Sequence, residues 1–202
     1  MRGHAAWLGL AALALAGPAA AQAVDVWGGG LASACSAAAQ GGSSSIRDER
    51  VCTQSLETEQ LIPLDRAGTY VNRGIIKLHA KRYAEALADF NTAIRYKADL
   101  AEAYVNRAAA RIGLRQFKDS VSDIDNALIL NVKEPEKAYY NRAVAYEYLD
   151  DEKDAWLDYN KALQLAPDWP LVKQQLARFT VSHPLDALPT VASPTPEAKP
   201  QP

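Results

Sequence analysis

The sequence YVNRG at residues 70–74 decides the fold, because it recurs as YVNRA at residues 104–108 and as YYNRA at residues 139–143. The later part of each unit also repeats, in residues 86–94, 120–128 and 155–163. The spacing is 34 residues and then 35, which is typical of a helical repeat array. The chain is therefore predicted to be all-α and to consist of stacked helix hairpins.

Small and bulky residues alternate within each unit in a way that explains the stacking. Gly74, Ala86 and Ala93 are small, which lets two antiparallel helices approach closely. Tyr70 and Phe90 are large enough to fill the space next to the neighbouring hairpin. One hairpin cannot bury its apolar face alone, so we expect a continuous array with a cap at each end.

The positions of these residues identify a family. Small residues at places 8, 20 and 27 of a 34-residue unit, with bulky ones at places 4 and 24, resemble the tetratricopeptide repeat. The resemblance implies a right-handed superhelix of antiparallel helix hairpins, with repeats at residues 67–100, 101–135 and 136–169. Place 4 carries Tyr where the family usually has Trp. One residue is inserted within 132–135, which we expect to lengthen the second turn between repeats.

The flanking segments are predicted to close the array. Pro170 opens a helix over residues 170–181, in which Val172, Leu176 and Phe179 recur on one face, and this helix is the expected C-terminal cap. Residues 24–66 are expected to form a degenerate helical hairpin at the other end. Residues 182–202 are rich in proline and are predicted to be a disordered tail, with an interaction motif as the alternative.

The N-terminal residues have the features of a targeting segment. Arg2 precedes an uncharged run over residues 5–16, Gly17-Pro18 breaks the run, and Ala21-Gln22-Ala23 offers a small-x-small cleavage site. Residues 1–23 are therefore predicted to be a secretory signal peptide, cut after Ala21 or Ala23, with an uncleaved apolar helix as the alternative. The Ala-rich run favours a bacterial periplasm over secretion from a eukaryote. No later stretch is long and apolar enough to predict an integral membrane segment in the mature chain.

Export would place the two cysteines, Cys35 and Cys52, in an oxidising compartment. Residues 31–40 and 46–61 are predicted to be helices joined by a Gly/Ser turn, which brings the two sulfurs to similar heights on an antiparallel hairpin. A disulfide is therefore expected. Lipidation of Cys35 is the alternative, since residues 32–35 loosely resemble a lipobox, but they are far from the apolar run.

Composition and motifs exclude several classes of chemistry. The formal net charge is −2, so nucleic acid is not an expected partner. Two cysteines and three scattered histidines do not make a structural zinc site, and no phosphate loop or nucleophile motif occurs. We therefore expect no metal, no cofactor and no catalytic residue.

An arginine at place 7 and an aspartate at place 23 occur in every unit. They are expected to face each other across the two helices of a hairpin. A single active site would not be repeated three times, so these pairs are predicted to be structural salt bridges. The pairs are Arg73 with Asp89, Arg107 with Asp123, and Arg142 with Asp158.

The family resemblance implies a concave groove lined by the first helix of each repeat. That places Asn72, Asn106 and Asn141 in a row that we call the Asn ladder, where each amide offers a donor and an acceptor to an extended backbone. Capping or bracing of neighbouring helices is the alternative role for these asparagines. Other predicted groove residues are Val71, Val105, Tyr140, Ile75, Ala109, Val144 and Lys137. A free carboxylate is not the expected anchor, because most positions of the family's Lys/Arg clamp are not basic here.

The resemblance implies binding of a protein or peptide, of unknown identity, in that groove. The predicted function is thus an exported protein-interaction adaptor, scaffold or chaperone-like module. The alternative is a structural envelope component without an exchangeable peptide ligand, and an enzyme is the least favoured class. The expected role of the Asn ladder is to bind the partner, so replacing all three asparagines with alanine should abolish binding and leave helicity nearly unchanged.

Overall fold

A computed structural model of the protein describes residues 20–26 and 30–182. The described part contains nine helices and no strand. They are α1 Leu31–Gln40, α2 Ile46–Thr58, α3 Pro63–His79, α4 Tyr83–Tyr96, α5 Ala101–Gly113, α6 Phe117–Ile129, α7 Pro135–Tyr148, α8 Glu152–Leu165 and α9 Pro170–Ser182. Residues 1–19 of the predicted signal peptide and residues 183–202 of the predicted tail lie outside the described residues, while Ser182, the first residue of that tail, ends α9. Within the described ranges, no helix combines the length and the apolar run needed to cross a bilayer.

The helices pair as consecutive hairpins that stack side by side. α3 packs on α4, α5 on α6 and α7 on α8, and each hairpin contacts the next. α1 and α2 pack against α3 at one end, while α9 packs against α8 at the other. The first helices also contact each other, α3 with α5 and α5 with α7, so they form the inner wall of the array. The all-helical repeat architecture expected from the sequence is confirmed.

The close approach of α3 and α4 depends on Gly74. A Cβ atom at this position would lie 2.5 Å from Cε1 of Phe90, which is fully buried. No larger residue fits without displacing the ring. This is the physical reason for the small residue at place 8 of the repeat.

α3 begins at Pro63, four residues before the expected start of the first repeat at residue 67, because proline suits the first helical position and Asp65 adds a favourable charge to the first turn. The end of α2 differs from the sequence expectation. α2 ends at Thr58 and not at residue 61, since Glu59 adopts an extended backbone conformation. The turn between α6 and α7 spans residues 130–134, one residue longer than the turn at 97–100, as the insertion predicted.

The turn inside each repeat places a residue other than glycine in the left-handed region. Lys81, Arg115 and Asp150 have φ near 60° at equivalent positions. This conformation costs about 1 kcal/mol for a residue with a Cβ. Backbone hydrogen bonds across the turn offset the cost, such as the 2.9 Å bond from the N–H of Arg82 to the carbonyl of Lys77.

An arginine and an aspartate face each other across every repeat hairpin. Nη2 of Arg73 is 2.6 Å from Oδ1 of Asp89, and Nε donates a second hydrogen bond to the same carboxylate. The equivalent distances are 2.6 Å for Arg107 with Asp123 and 2.9 Å for Arg142 with Asp158. In each case the guanidinium also lies 5.3 to 5.5 Å from the ring centre of the tyrosine three residues earlier. The predicted pairs therefore hold the two helices of each hairpin together.

In the third of these pairs, burial and the neighbouring charges shift the pKa of both partners. Burial alone would lower the pKa of Arg142, but hydrogen bonds and the charges of Asp158 and Asp125 raise it above the ordinary value. Burial raises the pKa of Asp158, and Arg142 acts against that rise. Mutual charge compensation therefore matters more here than at an exposed ion pair.

The N-terminal hairpin carries the expected disulfide. Sγ of Cys35 on α1 and Sγ of Cys52 on α2 are 2.08 Å apart, and both residues are fully buried. The bridge joins residues separated by 17 positions. It ties α1 to α2 next to α3, where both cysteines belong to the hydrophobic core.

Glu59 closes the N-terminus of α1, where Gly30 offers no side chain. Its carboxylate accepts hydrogen bonds from the N–H groups of Leu31 and Ala32, at 2.8 and 2.9 Å, and from the Ser55 hydroxyl at 2.6 Å. The Ser55 hydroxyl is the largest influence that lowers the pKa of Glu59 below its ordinary 4.5, and the two backbone N–H groups also lower it. The ionised carboxylate therefore stabilises this helix end.

Glu59→Gln is expected to lower the free energy of unfolding by about 1 kcal/mol at neutral pH, the usual contribution of a helix cap. The folded pKa lies below the unfolded one, so the native contribution is full above about pH 4.5 and is lost as the pH falls through the folded pKa. Urea unfolding at pH 7 and pH 3 measures the difference. Glu57→Gln, an exposed neighbour, is the control and should change little at either pH. An equal loss for Glu59→Gln at both pH values would contradict the role of the charge.

Candidate functional site

An unexpected occupant lies against the inner wall. Residues 20–26, which we call the groove segment, run without helix or turn beside α3 and α5. Oδ1 of Asn72 accepts the N–H of Val24 at 2.9 Å, and Nδ2 of Asn72 donates to the carbonyl of Val24 at 2.8 Å. Asn106 does the same for Gln22, at 3.0 and 2.8 Å. Two consecutive members of the Asn ladder thus each hold one backbone unit.

The pairing has a two-residue period, which is the geometry of an extended chain. In extended backbone, the N–H and C=O of alternate residues point to the same side. Residues 22 and 24 therefore face the ladder, and Gln22 and Val26 are buried, with exposures of 1% and 9%. Consecutive repeats of the array hold alternate residues of the segment.

Two further contacts fix the groove segment at its sides. The Ser36 hydroxyl on α1 donates to the carbonyl of Val24 at 2.9 Å. Nε2 of Gln22 donates to the carbonyl of Glu134 at 2.8 Å, in the lengthened turn before α7. The segment is therefore linked to the N-terminal hairpin and to the turn before the third repeat.

The third member of the Asn ladder is different. Asn141 on α7 is fully buried, and neither its Oδ1 nor its Nδ2 has a hydrogen-bond partner among the described residues. An amide without partners in a buried position costs about 1–3 kcal/mol. Among the described residues, two of the three ladder positions therefore hold a backbone unit.

The predicted apolar groove residues are core residues. Val71 and Ile75 belong to the core cluster of the first repeat, Val105 to that of the second, and Val144 to that of the third. Ala109 is 4% exposed and belongs to the first of these clusters. These side chains pack in the core and stabilise the helices that carry the Asn ladder.

Tyr140 faces the C-terminal end of the array. Its ring centre lies 5.7 Å from that of Tyr159 and 5.1 Å from that of Trp169, and the residue is 2% exposed. Packing against these aromatic rings explains its position. Burial raises the pKa of Tyr140 to about 12.

An open cleft of about 550 Å³ lies beside the groove segment. Ala21, Ala23 and Asp25 line one side of it, and α1 and α7 contribute further residues, including Gln40 and Lys137. Nζ of Lys137 is 2.7 Å from a carboxylate oxygen of Glu134, so its charge is compensated. Residues 21, 23 and 25 thus face the cleft, while residues 22 and 24 face the ladder.

The described residues contain no group of three or more His, Cys, Asp or Glu side chains arranged to hold a metal ion. The chemistry available in the groove is hydrogen bonding by neutral amides and contact with apolar side chains. Sequence reasoning missed the groove segment, Ser36 and Glu134. The alternation of Gln22, Val24 and Val26 is the signal that could have revealed an extended segment.

The tetratricopeptide repeat family profile matches residues 67–100 and 136–168, which include the first and third Asn ladder positions. The chain is a tetratricopeptide repeat protein. The second repeat of this tetratricopeptide repeat protein lies between the two matched ranges and has the same hairpin geometry. None of the curated proteins compared with the chain matches it.

Solved tetratricopeptide domains have the same fold as this protein. The Arabidopsis OM64 domain is 28% identical with a TM-score of 0.55, and the match covers 57% of this chain and 95% of that one. The first domain of human RPAP3 is 25% identical with a TM-score of 0.54, covering 57% and 91%. The first domain of Spaghetti, solved with the HSP90 peptide SRMEEVD, is 24% identical with a TM-score of 0.55, covering 59% and 94%. At 24% identity, the similarity to this last domain is evidence for the fold and for nothing further.

Proposed function

We propose that this protein is an exported protein-interaction module whose groove binds an extended segment of a partner through the Asn ladder. The observation that supports the proposal is the paired hydrogen bonding of Asn72 and Asn106 to the backbone of the groove segment. Backbone N–H and C=O groups occur in every peptide, so these amides bind a chain largely regardless of its side chains.

Asn141 extends this function to the third repeat. Its buried amide lacks partners within the described part of the chain, and the N–H and C=O of one further residue would satisfy both its acceptor and its donor. A partner segment that occupies all three ladder positions would make six backbone hydrogen bonds. Binding to Asn141 would therefore favour a longer partner segment over a short one.

The charge compensation of Lys137, the basic residue among the predicted groove positions, favours a neutral ligand over an acidic terminus. The ammonium group of Lys137 is paired with Glu134. The groove amides are neutral, and they suit the interior of a peptide better than a free carboxylate. We therefore propose an internal extended segment as the ligand.

Export is the part of the proposal supported by the N-terminal sequence and the cysteines. The Cys35–Cys52 bridge is typical of an oxidising compartment, and a bacterial periplasm is the proposed location. Either predicted signal peptide cut leaves Val24 in the mature chain, and a cut after Ala21 also leaves Gln22.

The function is tested with an array of ten-residue peptides and three forms of the full chain. The native protein should bind a subset of peptides, and the triple variant Asn72→Ala, Asn106→Ala, Asn141→Ala should bind the same peptides at least about 100-fold more weakly, since each lost amide pair costs about 1–2 kcal/mol. Asn160→Ala is the matched control, because its amide donates to the carbonyl of Trp156 in its own helix. Circular dichroism checks that helicity is retained.

Two results would overturn the proposal. Unchanged affinity in the triple variant would show that the ladder does not bind the peptide. No binding of any peptide by the native chain, or by a variant such as Val24→Pro whose groove segment loses its hydrogen bond to Asn72, would favour a structural component whose groove has no exchangeable ligand.

A further inference from the structure

The groove segment indicates which side chains the groove accepts. A Cβ atom added to Gly68 would lie 3.0 Å from Cγ1 of Val24 and 3.1 Å from Cγ2 of Val26. The wall of α3 therefore contacts branched side chains two residues apart, and Gly68 leaves the room that they need. Branched residues at these two positions pack there without rearrangement.

The position two residues before Val24 accepts an amide side chain. Gln22 is 1% exposed, and its Nε2 is held by the carbonyl of Glu134 at 2.8 Å. The lengthened turn before α7 places this carbonyl beside the groove. The intervening residues, Ala23 and Asp25, line the open cleft, where side chains of several sizes fit.

We propose that the groove selects extended segments with the pattern Gln-x-Val-x-Val, and that the chain's own residues 22–26, which a cut after Ala21 leaves in the mature chain, occupy this site until a partner segment of the same chemistry displaces them. This inference rests on the proposed function, because it assumes that the groove binds a partner. It adds to that function the class of peptide that binds and an intramolecular competition that controls access to the groove.

Competition within one chain is effective because the segment is tethered. Four residues, 27–30, separate the groove segment from α1 in the sequence. The local concentration of the segment at the groove is therefore in the millimolar range. A free peptide binds only in the fraction of molecules whose groove is open, and its apparent dissociation constant rises accordingly. Weakening the segment without changing the groove should therefore strengthen binding of the free peptide.

Val24→Pro provides this change in the full chain, since proline lacks the N–H that Oδ1 of Asn72 accepts. Ala23→Pro is the matched control, because no described residue accepts the N–H of Ala23. The probe is a fluorescein-labelled peptide with the sequence of residues 21–26, Ala-Gln-Ala-Val-Asp-Val, with its C-terminus amidated. Fluorescence anisotropy measures its affinity for each protein.

The Val24→Pro protein should bind the probe at least about tenfold more tightly than the native protein, because loss of one buried hydrogen bond opens the groove by about that factor. Ala23→Pro should stay within about twofold of native. Gln22→Pro, which removes the N–H held by Asn106, is a second variant and should behave like Val24→Pro. Equal affinity in native, Val24→Pro and Gln22→Pro proteins would overturn the competition.

A second peptide and a second variant separate this inference from the proposed function. A peptide of the same composition with both valines moved to the cleft-facing positions should bind at least tenfold more weakly. Equal binding of the two peptides would overturn the ligand class. Adding Asn72→Ala to Val24→Pro should abolish the gain in affinity. A retained gain would contradict the ladder function while leaving the competition intact.

Discussion

Asp123→Asn is expected to lower the free energy of unfolding by about 3 kcal/mol, the range found when one partner of a buried ion pair is removed. The side chain of Asp123 is 1% exposed, and its carboxylate lies 2.6 Å from Nη2 of Arg107 and 2.8 Å from Nη1 of Arg111. The asparagine is isosteric but carries no charge, so two partly buried guanidinium groups would lose their anion. Thermal and urea unfolding measure the loss.

The control for this prediction is Asp99→Asn. Asp99 pairs with Lys97 at the surface, where its side chain is 63% exposed, and the expected change is below about 0.5 kcal/mol. A double-mutant cycle with Arg107→Gln provides a further check. The double change should cost less than the sum of the single changes, because each single change already removes the interaction between Arg107 and Asp123. Additive losses would contradict a direct interaction.

Replacing both Cys35 and Cys52 with alanine is expected to cost about 3 kcal/mol, the entropy of closing a loop of this length in the unfolded chain. The loss should be local, because each hairpin of the array contacts only its neighbours. Hydrogen exchange should show faster exchange in α1 and α2, while α7 and α8 keep their protection. The groove segment should loosen as well, since Ser36 on α1 holds the carbonyl of Val24.

Ser43→Ala provides a control that changes the same hairpin without cutting the bridge. Its hydroxyl donates to Asp48 near the turn, and its loss should cost about 1 kcal/mol. An equal rise in exchange across all repeats in the double cysteine variant would contradict the local effect. No change in α1 would contradict the stabilising role of the bridge.

The repeat hairpins could be predicted because their determinants recur at a fixed spacing. Gly74 and Phe90 are in contact, and so are Arg73 and Asp89, because the 34-residue period sets which side chains meet when a hairpin closes. The start of α3 could also have been found, since Pro63 followed by Asp65 is a helix-start signal. It was missed because the repeat pattern begins only at residue 67, four residues after the helix start.

The occupant of the groove could not be predicted in this way, because the groove segment has no repeated copy. Gln22 and Asn106 are separated by 84 residues, and no local pattern relates them. Residues 1–23 also have the composition of a signal peptide, which gave Gln22 another explanation. Asn72 and Asn106 were predicted to bind an extended backbone. That this backbone is the chain's own follows only from the three-dimensional structure.

The groove segment also changes the order in which the molecule folds. Helix hairpins form from local contacts and are fast, whereas contacts between distant residues are slow to form. Gln22 is held by Asn106 and by Glu134, which lie 84 and 112 residues further along the chain. The segment is synthesised before both of these partners, so its docking has to wait until the second repeat and the turn after it are in place. The segment thus reaches its native position after helices that follow it in the sequence.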